Sequence, residues 1–298
     1  KPEKDYYEMF VMEDKTNLKE AILPVTYLDG KRKHGMSRTL WEANTGFSKD
    51  FMEGYLCKDG KPISLSSYYK GDDNMRNETA DRDPRLKQTV LTWDFPTRVT
   101  VSTNDSTFIT EESKFIDQYC YTGYKSIKYF IPTDKAFEAN NNTYDGIAYR
   151  YAETLLINAE AKAELGTISQ VDLDKTINVL RDRVGMPAVD FDREYNQESD
   201  YPFRHLNKYI QAVRRERRIE KACEGRRLED ILRWAAADEL IVGKWAKGAL
   251  FVGSNLQNHP EFDGKLVYDQ PSGNNLYLTG KPGDALRYVV PSNPAGYE

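Results

Sequence analysis

Little in this chain of 298 residues suits a metal or redox centre. There are three cysteines, Cys57, Cys120 and Cys223, far apart and with no C-x-x-C pair, so neither a zinc ribbon nor a thioredoxin-type site is written here. One disulfide is possible and none is demanded. The three histidines, His34, His205 and His259, are scattered and show no ligand spacing. No apolar run is long enough to span a bilayer. A G-x-S-x-G elbow and a phosphate loop are both missing, which removes the commonest signatures of acyl and phosphoryl transfer. The chain opens Lys1-Pro2-Glu3-Lys4-Asp5, with no initiating Met and no signal-peptide core, and is expected to be a processed or truncated form.

What is present is polar and aromatic. Charged residues make up 30% and hydrophobic residues 39%, a globular balance. Net charge is −5 with both signs interspersed, which argues against nucleic acid as a partner. Tyrosine is in excess, with 20 copies, many in loop-like sequence.

The stretch from Tyr149 to Val184 organises the reading. Tyr149, Ala152, Leu156, Ala159 and Ala163 step by three and four and line one helical face. Gly166 sits where a helix end needs a left-handed residue. Asp172 is read as the cap of a second helix, with Leu173, Ile177, Leu180 and Val184 on its inner face and Gly185 and Pro187 stopping it. Two amphipathic helices joined by a short loop form a hairpin of tetratricopeptide type, which needs stacked neighbours. The chain holds no second copy. Either other helices serve, or part of a parent protein lies outside this sequence.

Elsewhere, Tyr7 to Met12 and Ala21 to Tyr27 read as strands or extended segments, and residues 29–46 as a polar loop holding Trp41. Phe47 to Leu56 reads as a helix capped by Ser48, with Phe47, Phe51 and Tyr55 on one face. Leu86 to Phe95 and Thr97 to Thr103 read as paired strands broken at Pro96. Leu206 to Gly243 reads as helical with a break near Gly225, and the last 55 residues as an extended wrapping tail. The fold class is therefore mainly α, or α+β: a tetratricopeptide-like pair, further helices, small strand elements and long ordered loops.

Several blocks then carry a resemblance. Asp145-Gly146-Ile147-Ala148-Tyr149-Arg150-Tyr151-Ala152-Glu153, with Arg181-x-Arg183-x-Gly185, resembles the SusD/RagB family. So do Arg214-Arg215-Glu216-Arg217-Arg218-Ile219-Glu220, Glu224-Gly225-Arg226-Arg227 and Asp230-Ile231-Leu232-Arg233-Trp234, in the family's order. Lys58-Asp59-Gly60-Lys61-Pro62, Asp83-Pro84-Arg85-Leu86 and the closing Tyr288-Val289-Val290-Pro291 are similar to further family blocks. The resemblance implies a Bacteroidetes-type outer-membrane lipoprotein that captures glycans, or sometimes peptides, outside the cell. It implies a TonB-dependent β-barrel transporter of the SusC type as partner, no cofactor and no catalysis. Family members are longer, with tetratricopeptide-like helices and a lipidated Cys in an N-terminal half. Residues 1–298 thus read as a C-terminal domain: a loop-rich, ligand-facing part (1–145), a helical part (146–243) and a wrapping tail (244–298). The membrane anchor would lie outside it.

Three patterns admit competing readings. The Arg and Glu residues from Arg214 to Arg233 form either an anionic-ligand site or an ion-pair lattice, and their matched signs favour the lattice. Asp72-Asp73 and Asp81-x-Asp83 would serve a glycosidase only if two carboxylates flanked a sugar bond; turn and loop roles are the simpler reading. Trp41, between Arg38 and Asn44, is either a sugar platform, with those two neighbours bonding hydroxyls, or a plug holding its loop to the body. Tyr68 and Tyr69 are second candidates. Trp93 and Trp234 read as core, and Trp245 is undecided. A helical scaffold binding another protein is the remaining alternative.

Overall fold

The structure is a computed structural model. It describes residues 2–42, 46–109, 120, 122–189, 202–242, 244, 247–251, 253–256 and the strand 275–277. Asn44, Tyr121, Trp245, most of the tail and its Tyr288 block lie outside the described residues.

The elements run α1 (Pro2–Val11), β1 (Ala21–Val25), α2 (Met36–Glu42), α3 (Lys49–Glu53), α4 (Met75–Thr79), β2 (Arg98–Thr100), β3 (Asp105–Thr107), β4 (Gly146–Arg150) and α5 (Tyr151–Glu164). They continue with α6 (Gln170–Lys175), α7 (Ile177–Asp182), α8 (Lys208–Glu220), α9 (Arg227–Arg233), α10 (Ala237–Leu240), β5 (Lys247–Leu250) and β6 (Asn275–Tyr277). Among the described residues, three antiparallel strand pairs, β1–β4, β2–β3 and β5–β6, complete a mainly helical α+β architecture.

The hairpin forms much as its spacing implies. Ala152, Leu156, Ala159 and Ala163 are buried on α5, and Leu173, Ile177, Leu180 and Val184 are buried opposite. Gly166 turns the chain at φ +68°. Three details differ. Tyr149 lies in β4, exposed and paired with Leu23, so the helix starts later. Ser169, not Asp172, is the cap; Asp172 closes a capping box by accepting from the Ser169 backbone N–H. The second helix breaks at Thr176, whose hydroxyl donates to the Asp172 carbonyl at 2.6 Å and competes with the helical ladder. The neighbour the pair needs is α8, which packs on α5 through Ile210 and Val213.

Three other segments depart from expectation. Residues 7–11 are helical, with Met12 just beyond the end: Tyr6, Met9 and Phe10 step by three and four into the core, a period too short to see in a six-residue run. Residues 36–42 form α2 rather than a loop, because Ser37 is buried and held by Asn142 at its backbone N–H. Residues 86–95 form consecutive turns. Leu86, Val90 and Leu91 are all buried, and the chain meets residues 125–127 through Leu91 N–H to Lys125 O and Ile127 N–H to Thr89 O. Only β2 survives of the expected strand pair, and its partner is β3. The helix expected over 47–56 is shorter, Lys49–Glu53, but Ser48 caps it and the aromatic face forms, with Phe47 stacked on Phe51 at 4.3 Å and Tyr55 edge-on to Phe51.

The centre of the molecule is ionic. Glu216 and Glu220, four apart on α8, are both fully enclosed. Arg85 donates to both, at 2.6 and 2.8 Å, and also pairs with Asp83. Arg181 reaches Glu216 at 2.8 Å; Arg150 and Arg183 each reach Glu220 at 2.6 Å. Glu224 takes Arg150 at 2.6 Å and Lys128 at 2.8 Å. Burial opposes the charged form of Glu220, but Arg183, Arg150 and Arg85 outweigh it and hold the carboxyl well below the usual range. Burial pushes the Lys128 ammonium down to about 8 against the pull of Glu224.

Candidate functional site

The loop-rich part is fastened before it can present anything. The His34 and Asn142 backbones exchange two hydrogen bonds, and the Asn142 side chain bridges Ser37 N–H to the Ala136 carbonyl. Ser37 Oγ accepts from Ile131 N–H at 3.0 Å. These bonds fix α2 against the 130–142 segment.

Trp41 consequently has a set place. Its indole stacks on Phe130 at 4.9 Å with an interplanar angle of 22°, and Phe137 meets it edge-on at 5.7 Å. The Lys125 ammonium lies 4.7 Å from the ring centroid and donates to the Trp41 carbonyl at 2.6 Å. Beneath them Leu91, Ile127 and Phe130 are buried. The indole is half-buried, so it both anchors α2 and keeps part of its surface in water.

The other expected site residues divide. Arg38 is exposed on α2 and paired with Glu42 at 2.9 Å. Tyr68 is exposed, with its backbone N–H held by Ser66. Tyr69 is half-buried beneath the Arg82 guanidinium at 5.3 Å, and burial raises its hydroxyl pKa. Arg82 itself donates to the Met52 and Tyr55 carbonyls, so Tyr69 belongs to the packing around α3. Trp93 is half-buried between Arg76 and Lys87, and Trp234 is half-buried against Arg214 and Arg233 with its Nε1 donating to Glu160; neither lies in the apolar core.

One element of this region was not foreseen. Arg98 on β2 places its guanidinium 3.4 Å over the Phe137 ring. The strand is bridged to Thr133, with Val99 N–H to Pro132 O at 2.6 Å and Asp134 N–H to Val99 O at 3.0 Å. Asp134 then caps the single turn Lys135–Phe137 that carries the ring. Threonine-rich alternation announced the strand; nothing in the sequence announced its neighbour 40 residues on.

The arginine-rich segment behaves as a lattice. A cavity of about 560 Å³ opens between α3 and the α8–α9 turn, lined by Phe47, Phe51, Arg217, Arg218, Leu228 and others. Its cations are spoken for: Arg217 pairs with Asp230 at 2.7 Å, Arg218 with Asp50, and Arg226 with Glu229 at 3.2 Å. The acid pairs are likewise engaged. Asp72 holds Lys49, Asp81 lies beside Lys58 and Lys70, and Asp83 is buried under Arg85.

A model of the SusD family matches residues 19–278. The chain belongs to the SusD family. Among solved structures it is similar to a SusD-like carbohydrate-binding protein from Bacteroides fragilis, at 26% identity and a TM-score of 0.65, over 93% of this chain and 52% of that one. A second SusD-like protein from Bacteroides fragilis matches at 21% identity and a TM-score of 0.58, over 79% of this chain and 47% of that one. The chain thus spans about half the length of these SusD relatives. No match is found among curated proteins.

Proposed function

We propose that this SusD-family chain captures glycan without cleaving it, at the extracellular face of the outer membrane, for delivery to a TonB-dependent transporter of the SusC type. The observation that carries the reading is the likeness, over 93% of the chain, to a protein described as SusD-like and carbohydrate-binding. The Trp41 cluster is the surface proposed for it: a half-buried indole on a fastened helix, packed on Phe130 and beneath Lys125, whose water-facing part would meet the apolar face of a pyranose. Arg38, Asn44 and Tyr68 are proposed as further polar and aromatic contacts of the glycan, whereas Tyr69 packs around α3. A fastened platform spends little binding energy on ordering itself, which suits shallow sugar contacts. A cleaving role draws no support from Asp83, whose carboxylate is closed off by Arg85.

Affinity electrophoresis through gels containing single polysaccharides tests the proposal. One glycan is expected to retard the protein, and Trp41→Ala is expected to abolish the retardation. Trp41→Phe, which keeps a ring on Phe130, is expected to retain part of it. Retardation untouched by Trp41→Ala would remove Trp41 from the site. New reducing ends after incubation with the glycan would overturn the non-catalytic reading.

A further inference from the structure

Arg98 is the unusual cation of the ligand-facing part. Its guanidinium is half-buried and has no acid within ion-pairing reach among the described residues; it lies instead over the Phe137 ring. The near acid on the same bridge, Asp134, is occupied: its carboxylate accepts from Lys135 N–H at 2.8 Å and Val101 N–H at 3.4 Å. Elsewhere Arg150, Arg181, Arg183 and Arg217 are matched by acids, and buried Arg82 is held by the Met52 and Tyr55 carbonyls. Arg98 is also held rigidly, since β2 is paired with β3 on one side and bridged to Thr133 on the other. A flat guanidinium lying on an aromatic ring keeps its edge N–H groups directed outward, in the fork that suits a carboxylate or a sulfate. That fork stands one ring away from Trp41, through Phe137. Adjoining units of a single oligosaccharide span such a separation.

We propose that Arg98 binds a negative charge on the glycan, so that the ligand is an anionic oligosaccharide bearing carboxylate or sulfate groups, one unit packing at Trp41 and a charged unit at Arg98. The proposal rests on the glycan-capture reading above. It explains why a cation is left without an internal partner beside an aromatic cluster in a protein of net charge −5, where long-range attraction for polyanions is weak.

The test uses matched ligands in affinity gels: polygalacturonate against its carboxyl-reduced form, and dextran sulfate against dextran. A charged member is expected to retard the protein at least about tenfold more strongly than its neutral counterpart, the scale of a charge-assisted hydrogen bond. The carboxylate and sulfate pairs separate the two sources of charge. Arg98→Gln, with its urea midpoint checked, is expected to erase the preference, and Arg98→Lys to restore part of it. Should Arg98→Gln fail to fold, the matched ligands still decide. Equal retardation by charged and neutral members, or retardation by neutral glycans alone, overturns the charge proposal and leaves glycan capture standing. An unchanged preference in folded Arg98→Gln overturns the role of Arg98. No retardation by any polysaccharide overturns both readings.

Discussion

Glu220 shows how much a single side chain can be asked to organise. It lies on α8, fully enclosed, and receives Arg85, Arg150 and Arg183 while its backbone carbonyl accepts from the Tyr6 hydroxyl at 2.7 Å. Replacing a partner in a buried ionic cluster leaves charge without compensation, at a cost of about 3–5 kcal/mol. Glu220→Gln is therefore expected to lower unfolding stability on that scale, read from the urea midpoint; a loss under about 1 kcal/mol would show that the cluster relaxes around the change. The sequence displayed the matched signs of this segment, which pointed to a lattice rather than a ligand site. It did not display the partners. Arg85, Arg150 and Arg181 come from distant segments, and Arg217 on α8 pairs with Asp230 on α9.

At the scale of elements, legibility followed length. The α5 face was readable because Ala152, Leu156, Ala159 and Ala163 repeat at intervals of three and four along it, and the turn at Gly166 because a left-handed residue there has one natural occupant. No atom lies within 4 Å of where a Cβ would stand at Gly166, so a substitution there meets backbone strain alone. Gly166→Ala is expected to cost about 1–2 kcal/mol, measured by thermal or urea unfolding, with no change in the secondary-structure spectrum. The helices at 2–11 and 36–42 were not readable. Residues 7–11 and 36–42 hold too few positions for a period to emerge, and tertiary partners fix them: Glu220 and Phe130 for the first, Asn142 for the second. The candidate site was legible in the same uneven way. Trp41 stood out as a lone aromatic among polar residues, whereas Phe130, Phe137 and Arg98 reach it through folds of the chain that no local pattern encodes.

The whole molecule should respond to acid through its buried carboxylates. Glu160, Glu216, Glu220 and Glu224 are all held below the ordinary glutamate value. In each, burial is outweighed by cations: Arg233 for Glu160, Arg85 and Arg181 for Glu216, Arg183 and Arg150 for Glu220, and Lys128 and Arg150 for Glu224. A depressed pKa means that the unfolded chain takes up protons first as pH falls. The stability these groups contribute is complete above the unfolded value, near 4.5, and drains away as pH drops through the folded values. Urea midpoints are expected to hold between pH 7 and 5 and to fall steeply below about 4.5; a midpoint unchanged at pH 3 would deny the cluster its role.

The order of this ionic centre along the chain has a consequence for synthesis. Arg85, Lys128, Arg150, Arg181 and Arg183 all precede Glu216, Glu220 and Glu224, while Glu20 and Asp83 are acids of the group made early. A chain leaving the ribosome therefore lacks the main partners of these cations until α8 emerges. Only then can the three glutamates complete the centre that joins the earlier segments.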